Sequence, residues 1–206
     1  MILSEKDMRK IFFDEYTFHV SKDVYLPAED TFLLAENLVV NKNDVVLDMG
    51  TGCGILGILA AKRARRVVAV DVNPLAVRCA KMNAKLNGVA EKMELLQSDL
   101  FSAVKKKEKF DLIIFNAPYL PSEMREEKNW IERAWAGGPT GRQLIDQFIL
   151  QAPSYLKKGG RILLVQSTLS NLEETMQNLG EERFCARVVA QKKVAFETIV
   201  VIEATL

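Results

Sequence analysis

The chain has 206 residues, 49% of them hydrophobic and 27% charged, with 28 Lys and Arg against 27 Asp and Glu. This size and composition predict a single globular domain over residues 1–206, and the near-neutral charge argues against a protein that lies along a nucleic-acid backbone. One histidine and three widely spaced cysteines give no pattern for a metal site or a disulfide framework, so no metal ligand is predicted.

The first 28 residues are interpreted as an N-terminal extension, whose mixed aromatic and charged residues suggest a short strand pair. Charged residues come too early for a secretory signal, and no apolar run approaches the ~20 residues needed to span a bilayer, so a cytoplasmic protein is expected. A helix is predicted from Pro27 to about Val40. Proline suits the first helical turn, and the acidic Glu29 and Asp30 suit the positive end of the helix dipole.

From residue 44 onward, short apolar and β-branched runs alternate with helical stretches. Alternation of this kind predicts βαβ units, that is, a parallel sheet with helices on both faces. The predicted strands are 44–49, 67–70, 93–96, 110–115 and 161–165, and the helices between them are 55–65, 74–87 and 141–156.

The end of the chain has a different pattern. A helix near 171–179 precedes two strand-like runs, 184–190 and 194–203, which only Gln191-Lys192-Lys193 separates. Such closely spaced strands predict an antiparallel hairpin. The expected fold is therefore an α/β, Rossmann-like domain whose mostly parallel, seven-stranded sheet ends in a hairpin.

A glycine-rich turn follows the first strand of this pattern. Gly50, Gly52 and Gly54 lie between that strand and the next predicted helix, where backbone can approach a ligand closely. The run from Gly52 to Gly57 formally matches the dinucleotide fingerprint G-x-G-x-x-G, but that match alone is weak. The turn predicts a nucleotide-type cofactor without choosing one.

Three acidic residues at successive strand ends favour one cofactor. A carboxylate at Asp48 would repel a pyrophosphate but suits the cationic sulfonium and ammonium groups of S-adenosylmethionine (AdoMet). Asp71 ends the next strand, where it can accept hydrogen bonds from ribose hydroxyls, and Asp99 ends the third, near an adenine amino group. Each acid alone could be a turn former, whereas the three together predict AdoMet binding.

The fourth strand ends in the tetrapeptide Asn116-Ala117-Pro118-Tyr119. The Asn116 side-chain oxygen and the Ala117 carbonyl can each accept an N–H from a planar nitrogen, aiming its lone pair at a methyl group. Pro118 holds Ala117 in an extended conformation, and Tyr119 offers a flat face to an amide or a base. These residues predict catalysis by positioning and electrostatics, with no strong general base.

Together these motifs resemble the class I amino-methyltransferases with the (N/D)PPY signature. More narrowly, the chain resembles the HemK-related protein glutamine methyltransferases of the archaeal and eukaryotic branch, from about Tyr16 to its end. Two segments outside the common core carry this narrower resemblance, residues 24–34 and residues 134–142. One position departs from the family, which usually has proline where this chain has Ala117.

The resemblance implies that the methyl acceptor is the glutamine of the Gly-Gly-Gln motif in class I translation termination factor. It also implies a small zinc-ribbon activator that pairs with an edge strand, which here would run from Met93 to Leu96. The cofactor contacts that it implies are Thr31, Asp48, Gly50, Asp71, Asp99, Leu100 and Asn116, with Asn116 and Tyr119 holding the amide.

Residues 119–140 are interpreted as a substrate-facing segment, because loops longer than ~12–15 residues in a compact domain are usually lids or binding segments. Part of it, 123–135, could instead form a helix on the sheet. Other acceptors stay open, since the tetrapeptide also suits an adenine amino group of DNA or RNA, or a protein lysine. A non-enzymatic scaffold would not need the three acids, and a dehydrogenase is disfavoured by Asp48.

Overall fold

The computed structural model describes residues 8–122 and 129–206. Within these residues, seven strands form one sheet and two more form a separate hairpin. The hairpin strands are β1 (Met8–Phe13) and β2 (Tyr16–Ser21), and the sheet strands are β3 (Val45–Met49), β4 (Arg66–Asp71), β5 (Met93–Gln97), β6 (Phe110–Asn116), β7 (Leu156–Ser167), β8 (Cys185–Lys193) and β9 (Thr198–Thr205). The helices are α1 (Glu29–Glu36), α2 (Ile55–Ala61), α3 (Pro74–Leu86), α4 (Trp130–Trp135), α5 (Gln143–Gln151) and α6 (Leu172–Glu181).

The strand order in the sheet is β5-β4-β3-β6-β7-β9-β8. The first five strands in this order run parallel, and β9 is antiparallel to both β7 and β8. This confirms the predicted parallel sheet with its closing hairpin. Because the chain moves outward from β3 to β5 and then returns to the other side of β3 as β6, a crevice opens between β3 and β6 at their carboxyl ends.

The middle of the sheet is covered on both faces. All five residues of β3 are buried, and Leu112, Ile113 and Ile114 of β6 have no exposed surface. A strand buried on both faces must be apolar throughout, which explains why these runs do not alternate. The polar residues at the strand ends are therefore fixed by a rigid core.

Several predicted boundaries were wrong. Helix α2 ends at Ala61 and not at 65, α5 ends at Gln151 and not at 156, and β7 begins at Leu156 and not at 161. Helix α1 ends at Glu36 and not near Val40, because Asn37 caps it by donating its side-chain N–H to the Leu33 carbonyl at 2.8 Å. The hairpin does not turn at Gln191-Lys192-Lys193, which belong to β8. The chain turns at 194–197 instead, where the Val194 N–H donates to the Glu197 carbonyl at 2.9 Å. The apolar run Val194-Ala195-Phe196 lies in this turn, and β9 begins only at Thr198.

The N-terminal hairpin packs against α3, as Asn87 shows by bonding both backbone groups of Thr17. The residues after the hairpin then cross toward the carboxyl ends of the parallel strands before α1 begins. In the described parts of the chain, no helix is long and apolar enough to cross a membrane.

Candidate active site

A cavity of about 560 Å³ lies at the carboxyl ends of β3, β4, β5 and β6. This volume is in the range of small-molecule and cofactor pockets. The predicted site residues among its walls are Thr31, Gly50, Gly52, Asp71, Asp99, Leu100, Asn116, Ala117, Pro118 and Tyr119. Asp48 and Gly54 are not among the lining residues, so their roles differ from those of the other predicted residues.

The glycine turn depends on conformations that favour glycine. Gly50, Gly52 and Gly54 have φ of 66°, 57° and 91°. A Cβ on Gly54 would also lie 3.0 Å from the Cα of Ala80, so this residue lets the turn rest directly on α3. Gly54 therefore shapes the turn from the helix side, whereas Gly50 and Gly52 face the cavity.

Asp48 lies under the glycine turn and is fully buried. Its Oδ2 accepts hydrogen bonds from the Thr51 hydroxyl at 2.5 Å and the Gly57 N–H at 2.9 Å, while Oδ1 has no partner among the described residues. Burial raises the pKa of Asp48 to about 7. A Cβ on Gly57 would stand 2.7 Å from Oδ2, so the last glycine of the formal dinucleotide match serves to admit this carboxylate.

The second and third acids do line the cavity. Asp71 accepts backbone N–H bonds from Gly52 and Asn73, both at 2.9 Å, which fixes its side chain at the end of β4. Burial raises the pKa of Asp71. Asp99 is exposed two residues beyond β5, next to Leu100, whose φ of 43° is unusual for a residue with a side chain. Both acids lie where hydroxyl or amino groups of a ligand could donate to them.

The side-chain amide of Asn116 has a fixed orientation. Its Nδ2 donates to Asp30 Oδ2 and to Thr31 Oγ1, both at 3.1 Å. An ionised carboxylate only accepts hydrogen bonds, so the NH₂ side of the amide must face Asp30. The opposite atom, Oδ1, is buried and has no hydrogen-bond partner among the described residues. An acceptor with no donor at a cavity wall is a site for an incoming N–H.

Asp30 is a site residue that the sequence analysis missed, since it was interpreted only as a first-turn helix acid. It is 5% exposed, and it accepts hydrogen bonds from the Tyr25 hydroxyl at 3.0 and 3.1 Å and from the Thr31 N–H at 2.6 Å. Burial is the main cause that raises the pKa of Tyr25, and the negative charge of Asp30 raises it further. The sequence did contain a signal for its role, because Asp30 directly precedes Thr31, which the family resemblance implies as a cofactor contact.

Tyr119 forms the wall beside Asn116. It is 9% exposed, and its hydroxyl lies 3.5 Å from Asp30 Oδ2. Burial and the charge of Asp30 raise its pKa, so the phenol stays protonated and acts as a neutral surface. Ala117 and Pro118 connect Tyr119 to β6 along the same cavity wall.

The predicted substrate-facing segment contains both a loop and a helix. Residues 123–128, which fall within the stretch first considered as a helix, lie outside the described residues. Trp130, Arg133 and Trp135 of α4 line the same cavity as Tyr119, and an isolated bridge joins Leu120 to Ala136. The described residues of this segment therefore contribute to the cavity wall, and their contact with a substrate stays a prediction.

The end of this segment is anchored by close backbone packing and a buried cation. Gly141 has a φ of 72°, and a Cβ there would stand 2.3 Å from the Tyr119 carbonyl. Arg142, which is 3% exposed, donates to the Ser170 and Asn171 carbonyls and to the Thr175 hydroxyl, each at 2.7 Å. Both residues fix the segment next to the tetrapeptide without entering the cavity.

Comparison with known proteins identifies relatives over most of the chain. Residues 28–197 match the family described as methyltransferase small domain. A relative from Methanocaldococcus jannaschii, provisionally named protein N5-glutamine methyltransferase, is 46% identical over 184 residues, or 88% of this chain and 91% of the relative. Human methyltransferase HEMK2 is 30% identical over 194 residues, covering 89% of this chain and 90% of its own length.

A solved structure is also similar to this chain. It is the Mtq2–Trm112 complex of E. cuniculi, described as responsible for methylation of the eRF1 translation termination factor. The likeness has a TM-score of 0.69 and 26% sequence identity, and it covers 89% of this chain and 98% of the matched one.

Proposed function

This chain belongs to the methyltransferase small-domain family, and from that premise we propose that it methylates the side-chain amide nitrogen of a protein glutamine. The specific acceptor that we propose is the glutamine of the Gly-Gly-Gln motif in class I translation termination factor. The observation that carries the proposal is the buried Oδ1 of Asn116 at the cavity wall, which has no hydrogen-bond partner in the part of the chain that the structure describes.

The cavity fits AdoMet as the methyl donor. Buried Asp48 and cavity-lining Asp71 and Asp99 favour a ligand with cationic and hydroxyl groups over one with phosphates. Glycines at positive φ let the β3–α2 turn approach the ligand closely. We assign Thr31, Gly50, Gly52, Asp71, Asp99 and Leu100 to cofactor contacts, and Asp48 and Gly54 to support of the turn from beneath.

When bound, AdoMet supplies an electrophilic methyl group. The protein's own task is then to present a nitrogen whose lone pair is otherwise delocalised into its carbonyl. Oδ1 of Asn116 accepts one N–H of the acceptor, and Asp30 keeps that oxygen turned toward it. Tyr119 packs against the planar group, and the nitrogen can lose its proton after transfer, so no strong base is needed.

A protein glutamine is favoured over other acceptors by the relatives, whose names include protein glutamine methyltransferases. The Mtq2–Trm112 likeness supports both a termination factor as the acceptor and a small partner subunit. We assign a zinc-ribbon partner to β5, which pairs with β4 on one side and is an edge of the sheet. Leu95 and Leu96 are only partly buried there, as expected for a strand that a partner would cover. The proposed place of action is the cytoplasm.

The test is methyl transfer measured by mass spectrometry, with the protein, AdoMet, the termination factor and the zinc-ribbon partner. We expect one added methyl on the motif glutamine. The signal should disappear with Asn116→Ala protein and with a termination factor whose motif glutamine is replaced.

Binding of AdoMet is measured in parallel on the same Asn116→Ala variant. If the unaltered protein binds AdoMet but methylates DNA or a lysine and not the termination factor, the proposed acceptor is refuted and the mechanism is retained. Transfer by the Asn116→Ala variant at the unaltered rate would refute the mechanism.

A further inference from the structure

Asn83 of α3 links the N-terminal hairpin to the glycine turn. It has no exposed surface, and besides a long contact of 3.7 Å with Cys79 Sγ in its own helix, its side chain bonds two other segments. Its Oδ1 accepts the His19 N–H at 2.9 Å, and its Nδ2 donates to the His19 and Cys53 carbonyls, both at 2.8 Å. One side chain therefore contacts β2 and the turn between Gly52 and Gly54 at once.

The Cys53 carbonyl lies where the turn is most constrained. Residues on both sides of it have positive φ, and Gly54 already rests against Ala80 of the same helix. Because the peptide group is planar, fixing this carbonyl also fixes the N–H of Gly54, which donates to the Thr51 carbonyl at 2.8 Å. Cys53 is 1% exposed, so if Asn83 were removed, solvent could not readily replace the hydrogen-bond donor that the buried Cys53 carbonyl would lose.

We propose that Asn83 is a positioning residue for the cofactor turn, and that through it the N-terminal hairpin and AdoMet binding are energetically coupled. The inference rests on the proposed use of AdoMet and goes beyond it, because Asn83 does not line the cavity. The hairpin is thereby part of the cofactor site, although none of residues 8–21 lines that cavity.

Asn87, which caps the carboxyl end of the same helix, provides a matched control. It lies one turn further along and bonds the N–H and carbonyl of Thr17 at 3.3 and 2.9 Å, so it holds the same hairpin strand. Within the described residues, its side chain makes no hydrogen bond to the glycine turn. Its remaining hydrogen bond as a donor goes to the Asn83 carbonyl at 2.9 Å. Replacing Asn87 loosens the hairpin while the Cys53 carbonyl keeps its donor.

The experiment measures AdoMet affinity by calorimetry for the unaltered chain, Asn83→Ala and Asn87→Ala, with thermal unfolding of each. We expect Asn83→Ala to weaken AdoMet binding about tenfold, which corresponds to about 1.4 kcal/mol of binding free energy. We expect Asn87→Ala to weaken it less than about twofold. Equal losses in both variants, or unaltered affinity in Asn83→Ala, would overturn the proposal.

A second measurement needs no variant, in case Asn83→Ala does not fold. Coupling is reciprocal, so bound AdoMet should slow the hydrogen exchange of the backbone amides of β2. These include the His19 N–H, which donates to Oδ1 of Asn83. Unchanged exchange across β2 in the AdoMet-saturated protein would show that the coupling is absent. Failure of the unaltered chain to bind AdoMet would overturn both this inference and the proposed function, whereas normal binding with unchanged exchange overturns this inference alone.

Discussion

Replacement of Asp30 by asparagine should disable catalysis without removing the cofactor. In the native site, Oδ1 of Asp30 accepts the Thr31 N–H at 2.6 Å, and Oδ2 accepts from Asn116 at 3.1 Å. The oxygen of the introduced amide would take the Oδ1 position, because the backbone N–H of Thr31 cannot turn away. The NH₂ of the introduced amide would then face the NH₂ of Asn116. To relieve this, the Asn116 side-chain amide would rotate and accept a hydrogen bond from the introduced NH₂ through its Oδ1.

That rotation turns Oδ1 of Asn116 away from the acceptor. Loss of one oriented electrostatic contact costs about 10²–10³ in kcat, or about 3–4 kcal/mol of transition-state stabilisation. We expect Asp30→Asn to lose about 10²-fold in kcat with little change in AdoMet affinity, because the described hydrogen bonds of the Asp30 side chain go to Tyr25, Thr31, Asn116 and Tyr119 and not to Asp48, Asp71 or Asp99. The neighbouring Glu29→Gln is the matched control, since it removes the same charge from an exposed position of the same helix turn.

The assay is single-turnover methyl transfer with the double-mutant cycle of Asp30→Asn and Asn116→Ala. Both changes act through one oxygen, so Asp30→Asn should have almost no further effect in the Asn116→Ala background. Full additivity of the two losses would refute this reasoning, as would a comparable loss of kcat in Glu29→Gln.

Three further predictions concern the supports of the site. The pKa of Asp48 is raised to about 7, and a bound cation favours its ionised form. AdoMet affinity should therefore increase as the pH rises from 6 to 8 and level off above, with proton release near pH 7 detectable by calorimetry in buffers of different ionisation enthalpy; a flat profile would contradict this. Gly57→Ala places a methyl group 2.7 Å from Asp48 Oδ2 and should destabilise the fold by about 1–3 kcal/mol in urea unfolding. By comparison, Gly180→Ala in α6 meets no atom within 4 Å and should stabilise by about 0.5–1 kcal/mol. Arg142→Met leaves buried carbonyls without a donor and should cost about 3 kcal/mol, whereas Arg187→Met, with a side chain that is 73% exposed, should change stability by less than about 0.5 kcal/mol.

Much of the fold is predictable from the sequence because the sheet is buried on both faces. A continuous apolar run such as the one in β6 requires helices on both faces of the sheet to bury it. A cluster of glycines after a strand indicates a turn with positive φ that can approach a ligand closely. The three acids were predictable as a set because the carboxyl ends of parallel strands meet at one edge. Their individual geometry was not, since the side chain of Asp48 points to Gly57 and only the structure shows it.

Contacts between distant segments were not predictable in this way. Asp30 and Asn116 are 86 positions apart, and neither periodicity nor spacing brings them together. The same holds for Asn83, whose bonds to His19 and Cys53 span 64 and 30 positions. The sequence around an asparagine in the middle of a helix does not indicate its contacts, whereas a strand end or a glycine turn does indicate a position at the ligand site.

The hydrogen bond between Asp30 and Asn116 also affects how the molecule acquires its activity during folding. The segment around Asp30 leaves the ribosome first, but its partner amide arrives only with β6, after α1 through β5 have been made. Asn116 is placed only when β6 pairs with β3, and such non-local pairing of distant strands is slow to form. Helix content and cofactor-turn structure can thus recover during refolding before Asn116 is oriented. Recovery of methyl transfer should be the last signal to return, and it is therefore the strictest measure of a fully assembled chain.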